Sequence, residues 1–464
     1  MRAVTTNTLS ANSFHIISLG CPKNLTDSEV LMGQMAKENY SYTSDPALAD
    51  IIIVNTCAFL SSARKESLQV IKEMSAYKKK GICKKLYVAG CLPKYLGKLQ
   101  IKNFKLQKGR KKRQKNLLNE VDGFVDSINL FDCHAPRVKA TPPWTAYIKI
   151  SEGCDNNCAY CLIPSIRGKL RNRTVGDIIK QVDALHGEHL PKHRNSPSKE
   201  IIFIAQDTTA HPRFDGILDR TSKISGVKWI RVMYAHPKHL SDKIIDAMVR
   251  NKKVLKYIDL PMQHSSDKIL KAMSRGYNRE HLEALIIKLR KKMPGIAIRT
   301  TFIVGFPGET EKDFDDLADF IEKMKLDRVG VFPFSREKGT PAYNMKGQVA
   351  VDVARERHLQ LMKLQAKISK EINKGFIGKK MDVMIETLTP QPLSRRERGA
   401  LYKVVGRSYR DAPEIDGKIV IEGAPCLAAC LPAGRAGRGF KPGDIVKVKI
   451  TGAGVYDLRG YATN

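Results

Sequence analysis

The first 130 residues alternate apolar runs with amphipathic stretches. Phe14–Leu19, Asp50–Val54 and Leu86–Ala89 read as buried strands. Thr26 to Glu29 reads as a capping box opening a helix, with Leu31, Met32 and Met35 on one face. A second helix runs through about Lys78. This βαβαβ order predicts a parallel sheet with helical crossovers. Thr141-Pro142-Pro143 reads as a linker. Six strand candidates separated by helical stretches follow it: Ala146–Ile150, Ile201–Ala205, Trp229–Met233, Leu255–Leu260, Ile296–Val304 and Val329–Phe334. Six β/α units predict a barrel left incomplete, since eight close the standard one. A long polar helix, about Val351 to Asn373, is expected to leave that barrel. From about Gly378 the texture changes to short strands between Gly and Pro turns: Met381–Ile385, Leu401–Val405, Lys418–Ile421, Ile445–Ile450 and Val455–Leu458. They predict a small antiparallel β-barrel. The expected class is α/β, with domains over 12–135, 140–375 and 376–464.

Composition narrows the function classes. Of 464 residues, 42% are hydrophobic, which excludes general disorder and supplies a sizeable core. No run of 18 apolar residues exists, so a spanning helix is excluded. Met1 to Ser13 has no apolar signal core, which points to a cytoplasmic protein. Lys and Arg number 80 against 47 acids, a net charge of +33. That excess favours polyanionic surroundings such as RNA or a ribosome; a lineage-wide basic bias gives the same number. Lys102 to Lys115 holds eight basic residues and no acid. This stretch, Thr389 to Arg398 and Ala424 to Gly439 read as inserted surface loops.

Ten cysteines in such a chain point to metal or catalysis rather than to bridges. Cys154, Cys158 and Cys161 stand in C-x3-C-x2-C spacing directly after the first strand of the expected barrel. Three thiolates on one loop can hold three irons of a [4Fe–4S] cube and leave the fourth open to a cofactor. Zinc would want a fourth ligand, and no His or Cys stands nearby at the usual spacing. Cys21, Cys57 and Cys91 each follow one strand of the first domain. The carboxyl ends of parallel strands share one edge, so these three can converge on a second site. Three small buried thiols are the equal alternative on geometry alone. Cys83, Cys133, Cys426 and Cys430 carry no such pattern.

The cysteine loop, with Tyr160 before its last Cys, resembles that of radical S-adenosylmethionine enzymes. The three-domain order resembles the methylthiotransferases, which end in a TRAM domain. Ser18-Leu19-Gly20-Cys21-Pro22-Lys23-Asn24 through Asp27-Ser28-Glu29 is similar to the RimO branch, as are Gln206-Asp207-Thr208-Thr209, Asp259-Leu260-Pro261-Met262-Gln263-His264 and Gly406-Arg407-Ser408-Tyr409. The resemblance implies two [4Fe–4S] clusters, on Cys21, Cys57 and Cys91 and on Cys154, Cys158 and Cys161. It implies that the second set binds S-adenosylmethionine and yields a 5′-deoxyadenosyl radical. It also implies sulfur insertion at an aspartate β-carbon of ribosomal protein twelve of the small subunit, then methylation by a second S-adenosylmethionine. A one-electron donor and a monomeric state are implied too.

Gly305-Phe306-Pro307-Gly308-Glu309-Thr310 looks like the family's adenine-side motif; an ordinary turn with a Thr310 cap is the plain alternative. Tyr160, Gln206, Asp207, Gly305, Gly308 and Glu309 are the candidate cofactor contacts. Gln263 and His264 are candidates to line a substrate channel, with a structural hydrogen-bonding role the alternative for His264; Arg167 and Arg173 are candidates to steer acidic groups, with a solvated charged loop the equal alternative. The TRAM segment would dock the protein substrate, with ribosomal RNA contact left to the basic stretch. Competing readings are a MiaB-like enzyme acting on a tRNA adenosine and a non-catalytic iron–sulfur redox sensor.

Overall fold

Strand β1 (Ser13–Ser18) is the start of a computed structural model that describes residues 12–97, 120–126, 131, 137–186, 197–390, 402–422 and 440–463. Cys133, Cys426, Cys430 and the insertions at 102–115 and 424–439 lie outside the described residues, as do 391–398. Beside β1 stand β2 (Ser41–Tyr42), β3 (Ile51–Thr56), β4 (Lys85–Gly90) and β5 (Gly123–Val125), all parallel, in the order β2-β1-β3-β4-β5. The two short edge strands escape the sequence pattern because two or three residues carry no period. β3 is buried along its whole length, with Ile52 and Val54 in one apolar cluster and Ile51 and Ile53 in another. Both faces are covered, which is why this strand reads as a continuous apolar run.

The helix after β1 begins earlier than expected. It spans Pro22–Lys37, with Cys21 at its N-cap and Pro22 in the first turn, so Thr26 to Glu29 lie inside it and form no capping box. Glu29 is fully buried and accepts instead from Arg137 Nε at 2.6 Å and from the Ala140 N–H at 2.8 Å. A residue pattern that normally caps a helix here anchors the segment leading into the second domain.

The second domain contains β6 (Thr145–Lys149), a two-residue hairpin of β7 (Ser151–Glu152) and β8 (Arg171–Asn172), then β9 (Glu200–Ile204), β10 (Trp229–Val232), β11 (Val254–Asp259), β12 (Ala297–Val304) and β13 (Arg328–Pro333). β6 and β9 to β13 form one parallel sheet in sequence order, the open six-unit barrel expected. Its outer residues, such as Ile148, Phe203, Ile230 and Ile258, pack against the helices. Its inner residues Tyr147, Ile202, Trp229 and Tyr257 pack with Met384 and Ala412 of the last domain. The long helix is Val351–Lys374, and it does not leave the barrel. Leu361 and Ile368 join the main core, His358 Nδ1 lies 2.9 Å from the Val331 carbonyl, and Gln365 donates to the Leu326 carbonyl at 2.9 Å. Its polar look arises because a single narrow face covers β13.

The last domain is a closed barrel of β14 (Lys380–Pro390), β15 (Tyr402–Ser408), β16 (Ile419–Glu422), β17 (Ile445–Ala453) and β18 (Leu458–Ala462), in the order β14-β15-β16-β18-β17. Two expectations need correction. The barrel is not wholly antiparallel, since β16 and β18 run parallel. Val455 to Asp457 form a turn, closed by the Gly454 N–H on the Asp457 carbonyl at 2.7 Å, and the strand begins at Leu458. Thr389 also belongs to β14 rather than to an insertion.

Fully buried Glu200 ties this barrel to the second domain, accepting from Arg231 Nε and Arg407 Nη1 at 2.9 Å each. Arg407 belongs to the Gly406–Tyr409 stretch, whose backbone carbonyls at Ser408 and Tyr409 also accept from Arg231. That stretch therefore holds two domains together.

Candidate active site

The first thiol set forms at the carboxyl edge of the N-terminal sheet. Cys57 follows β3 directly, Cys91 follows β4, and Cys21 caps the helix after β1. Asn24 clamps two of the three loops: its Nδ2 donates to the Leu19 and Thr56 carbonyls at 2.9 Å each. Gly20 stands so close to Cys57 that an added Cβ would lie 2.8 Å from the Cys57 Cβ, and its φ is +87°. Only glycine lets the two loops approach that closely. Burial pushes the Cys57 thiol up to about 11, with the neighbouring Cys91 and Cys21 adding to the shift. Burial also opposes ionisation of Cys21, yet Lys23, Arg167 and the N–H groups of the helix N-terminus outweigh it and lower this thiol. The edge therefore brings together the three cysteines that lie far apart in sequence.

The second set lies on the loop after β7. The Cys154 N–H donates to the Gly168 carbonyl at 3.1 Å, Ala159 N–H to the Met273 carbonyl at 3.0 Å, and Cys161 N–H to the Cys158 carbonyl at 3.0 Å. Each sulfur has an N–H neighbour: Asn156 Nδ2 at 3.5 Å from Cys154, Arg275 Nη1 at 3.3 Å from Cys158, and the Ile163 N–H at 3.4 Å from Cys161. Arg275 also donates to the Tyr160 hydroxyl at 3.2 Å and to the Pro261 carbonyl at 2.7 Å, so it fixes the loop against the end of β11. Burial pushes the Cys161 thiol up to about 12. A thiol so placed ionises readily only against a cation, which suits a metal ligand.

The segment after the second set packs against the N-terminal domain. Leu162 and Ile166, just past Cys161, pack into the apolar cluster of the N-terminal domain. Arg167 is buried there. Its Nε donates to Cys91 Sγ at 3.3 Å, its Nη1 to Asp27 at 2.9 Å and Glu152 at 3.4 Å, and its Nη2 to Asn24 Oδ1. Lys149 bridges the same carboxylates, at 2.6 Å from Glu152 and in a shorter contact with Asp27. Arg167 thus holds the interface, and it does not steer acidic groups at the surface. Arg173 likewise turns inward, onto the Lys149 carbonyl at 3.1 Å and Gln181 at 2.6 Å.

Gln206 and Asp207 reach this network from the end of β9. Gln206 Nε2 donates to Glu152 at 3.1 Å, and its Oε1 is buried without a protein donor. Asp207 accepts from Asn156, Thr209 and the Ala210 N–H, and lies 2.7 Å from His239 Nδ1. Thr209 and Ala210 hold its Oδ1, and Asn156 and His239 meet its Oδ2. Tyr160 and Phe306 share one small core cluster, which brings the 305–310 turn against the cysteine loop. Gly305 has φ +75° and would place a Cβ 2.4 Å from Ala354 Cβ, so its need for glycine comes from the long helix. Gly308 has φ +85° with open space around it. Glu309 turns inward, accepting from the Phe306 N–H at 3.1 Å and Arg357 at 2.9 Å. Thr310 and Asp313 form a full capping box, so the plain cap reading of Thr310 is correct for that residue. His264 is fully buried, 3.8 Å from Glu309, and burial holds it down to about 3. Gln263 adopts φ +73° and bridges backbone to backbone with β12.

Asn24, Glu152, Asn156 and Arg275 carry this geometry and were not singled out by sequence reasoning. Asn24 stood inside a quoted motif, whereas Arg275 has little local signal, because Cys158, Tyr160 and Pro261 come from two other segments.

Comparison with known proteins agrees with this division. Residues 13–108 match the profile described as Uncharacterized protein family UPF0004, residues 148–321 the Radical SAM superfamily, and residues 377–462 the TRAM domain. The chain is 42% identical over 467 residues to "Ribosomal protein uS12 methylthiotransferase RimO" of Desulforamulus reducens, covering 97% of this chain and 99% of the relative. The protein of the same name from Pelotomaculum thermopropionicum is 39% identical over 468 residues, covering 96% and 98%. This chain belongs to the RimO family. A solved structure of TsrM from Kitasatospora setae, a radical S-adenosylmethionine methyltransferase with cobalamin and a [4Fe-4S] cluster bound, matches at a TM-score of 0.50 and 11% identity, over 80% of this chain and 77% of that one. At that identity the likeness concerns the fold alone. RimO membership sets this chain among radical S-adenosylmethionine enzymes, and the MiaB-like and redox-sensor readings fall away as its family. Among the described residues no helix is long and apolar enough to cross a membrane.

Proposed function

We propose that this chain methylthiolates an aspartate of ribosomal protein uS12 at its β-carbon, with each three-thiol set holding one [4Fe–4S] cluster. The observation that carries the reading is the presence of two sets of three free thiols, with Arg167 touching Cys91 of the first and Glu152 in the strand that leads into the second. Both donor sets fit an iron–sulfur group: three free thiols each, with N–H groups aimed at several of the sulfurs. When bound, S-adenosylmethionine on the second cluster supplies radical chemistry, and the first cluster supplies a site for sulfur.

The chain's own residues bind, orient and exclude water. Arg275 pins the loop of Cys154, Cys158 and Cys161 through Cys158 and Tyr160. Gln206 Oε1, a buried acceptor without a protein donor, suits an ammonium group of the cofactor. Asp207 is better read as a positioning residue for Asn156, and Glu309 as a brace for the turn of Gly305 and Gly308. Burial of Cys91 and Cys158 keeps bulk water from the sulfurs. A monomer working in the cytoplasm, an external one-electron donor, and contact between the basic surface and ribosomal RNA complete the reading.

The test is a mass spectrum of products after an oxygen-free reaction. Reconstituted enzyme receives reductant, S-adenosylmethionine, sulfide, uS12 and unmodified tRNA. A methylthio increment on a uS12 aspartate, with unchanged tRNA nucleosides, is expected. The increment on a tRNA adenosine instead would refute the proposed substrate. Cys91→Ala and Cys158→Ala should each lower bound iron by about four atoms per chain. If either leaves iron unchanged, the corresponding cluster assignment is wrong.

A further inference from the structure

Beyond the two thiol sets, the ends of β9 and β10 build a different donor set. Asp207, His236 and His239 each offer one ligand atom, and these atoms all lie within 4.8 Å of one another. They stand at the carboxyl ends of neighbouring parallel strands, the edge where barrels bind ligands. Asp207 and His239 line an open cavity of about 700 Å³, along with Cys154, Asp155 and Asp215. The second observation is His236 itself. It is 6% exposed, its Nε2 is buried with no partner among the described residues, and its ring lies 5.2 Å from that of His239. A buried imidazole nitrogen is ordinarily hydrogen-bonded, so an orphan beside a carboxylate and a second imidazole wants a ligand.

We infer that Asp207, His236 and His239 form a site for a borderline divalent cation of the zinc class, with its remaining coordination position open to the cavity. Two imidazoles and one carboxylate are a donor set that zinc accepts in sites with an open position. Ligands at about 2.0–2.2 Å from a tetrahedral ion lie roughly 3.3–3.6 Å apart, so shifts on the order of 1 Å complete the site. Thr209 and the Ala210 N–H hold Asp207 Oδ1, which orients the carboxylate as outer partners of metal ligands do. His236 Nδ1 now accepts the Lys238 N–H at 3.2 Å. Ligation through Nε2 moves the ring's single proton to Nδ1, with no net release, and gives up that long hydrogen bond. Arg275 opposes a cation here, but its guanidinium is committed to Cys158, Tyr160, Tyr277 and the Pro261 carbonyl. Asn156 donates both to Asp207 and to Cys154, so the cation would adjoin the cysteine loop while sharing no ligand with it.

The test uses the full chain with its thiols already occupied by reconstituted iron and sulfide. The protein is equilibrated with Zn2+, desalted, and measured for zinc content and zinc-edge X-ray absorption. About one zinc per chain in a nitrogen and oxygen shell, with no sulfur neighbour near 2.3 Å, is expected. His239→Gln and His236→Gln should each lose that zinc and keep their iron. Retention of no zinc, zinc with sulfur neighbours, or equal zinc in His239→Gln overturns the site. If His236→Gln does not fold, His239→Gln decides alone, because His239 is only partly buried. None of these readouts depends on methylthiolation, so the site and the proposed activity fail separately.

Discussion

Arg167→Gln removes the guanidinium that ties Cys91 of the first thiol set to Glu152 of the second domain. Side-chain exposure is 2% at Arg167, 1% at Asp27, 0% at Glu152 and 6% at Lys149, so the four charges sit together away from water. Two positive and two negative groups balance in the native chain. The variant leaves one negative charge buried and unmatched, which costs about 3–5 kcal/mol. At about 1.4 kcal/mol per factor of ten, opening of this interface should become roughly two to three and a half orders of magnitude more frequent. The assay is native-state hydrogen exchange of the Cys154 and Gly168 amides, which close the loop beside Arg167. A global unfolding curve is less suitable, since a three-domain chain is not two-state.

The effect should depend on pH with a definite sign. Burial raises the Glu152 carboxyl, but Lys149 and Arg167 outweigh it and hold the group at about 2, below the ordinary 4.5. Its contribution is therefore present above about 4.5 and lost as pH falls through about 2. Without Arg167 the carboxyl rises, and protonation then relieves the unmatched charge. The deficit should be largest near pH 8 and shrink toward pH 5. Adding Asp27→Asn should recover more than half of it, because neutrality returns. A deficit below about 1 kcal/mol, a deficit flat in pH, or strict additivity in the double variant would show that the four groups do not act as one network.

Other substitutions test other parts of the fold. Glu200→Gln leaves Arg231 and Arg407 facing each other, which should weaken docking of the C-terminal barrel by about 3–5 kcal/mol and speed its release by limited proteolysis. Gly305→Ala forces a Cβ to within 2.4 Å of Ala354 Cβ at a positive φ, so a local loss of about 1–3 kcal/mol is expected in hydrogen exchange of the nearby Phe334 amide, and no change would refute the close approach. Burial holds His264 at about 3, below its usual 6.5, so its share of stability is complete above about 6.5 and drains as pH falls toward 3. Acid unfolding of His264→Asn should accordingly take up one proton fewer, as read by potentiometric titration.

The sheet-forming runs and the cysteine loop of residues 154–161 were legible because each rests on local pattern. Ile51 to Thr56 is buried on both faces, so hydrophobicity alone marks it as a strand. Cys154, Cys158 and Cys161 share one loop, so their spacing alone carries the chemistry. Cys21, Cys57 and Cys91 became a set once the strands were taken as parallel, since parallel strands put their carboxyl ends on one edge. Thr26 to Glu29 misled for the opposite reason. A capping box and a buried interfacial helix turn can carry the same letters, and only the position of Arg137 and Ala140 tells them apart.

The sequence by itself determined most strands and helices and the spacing of the cysteine loop, because periodicity and spacing act over a few residues. The tertiary structure decided which charges meet. Arg167 meets Cys91 from 76 positions away and Asp27 from 140, and Glu200 meets Arg407 across 207. Buried ions take whatever partner the packing of distant elements brings within reach, and no local pattern encodes that choice.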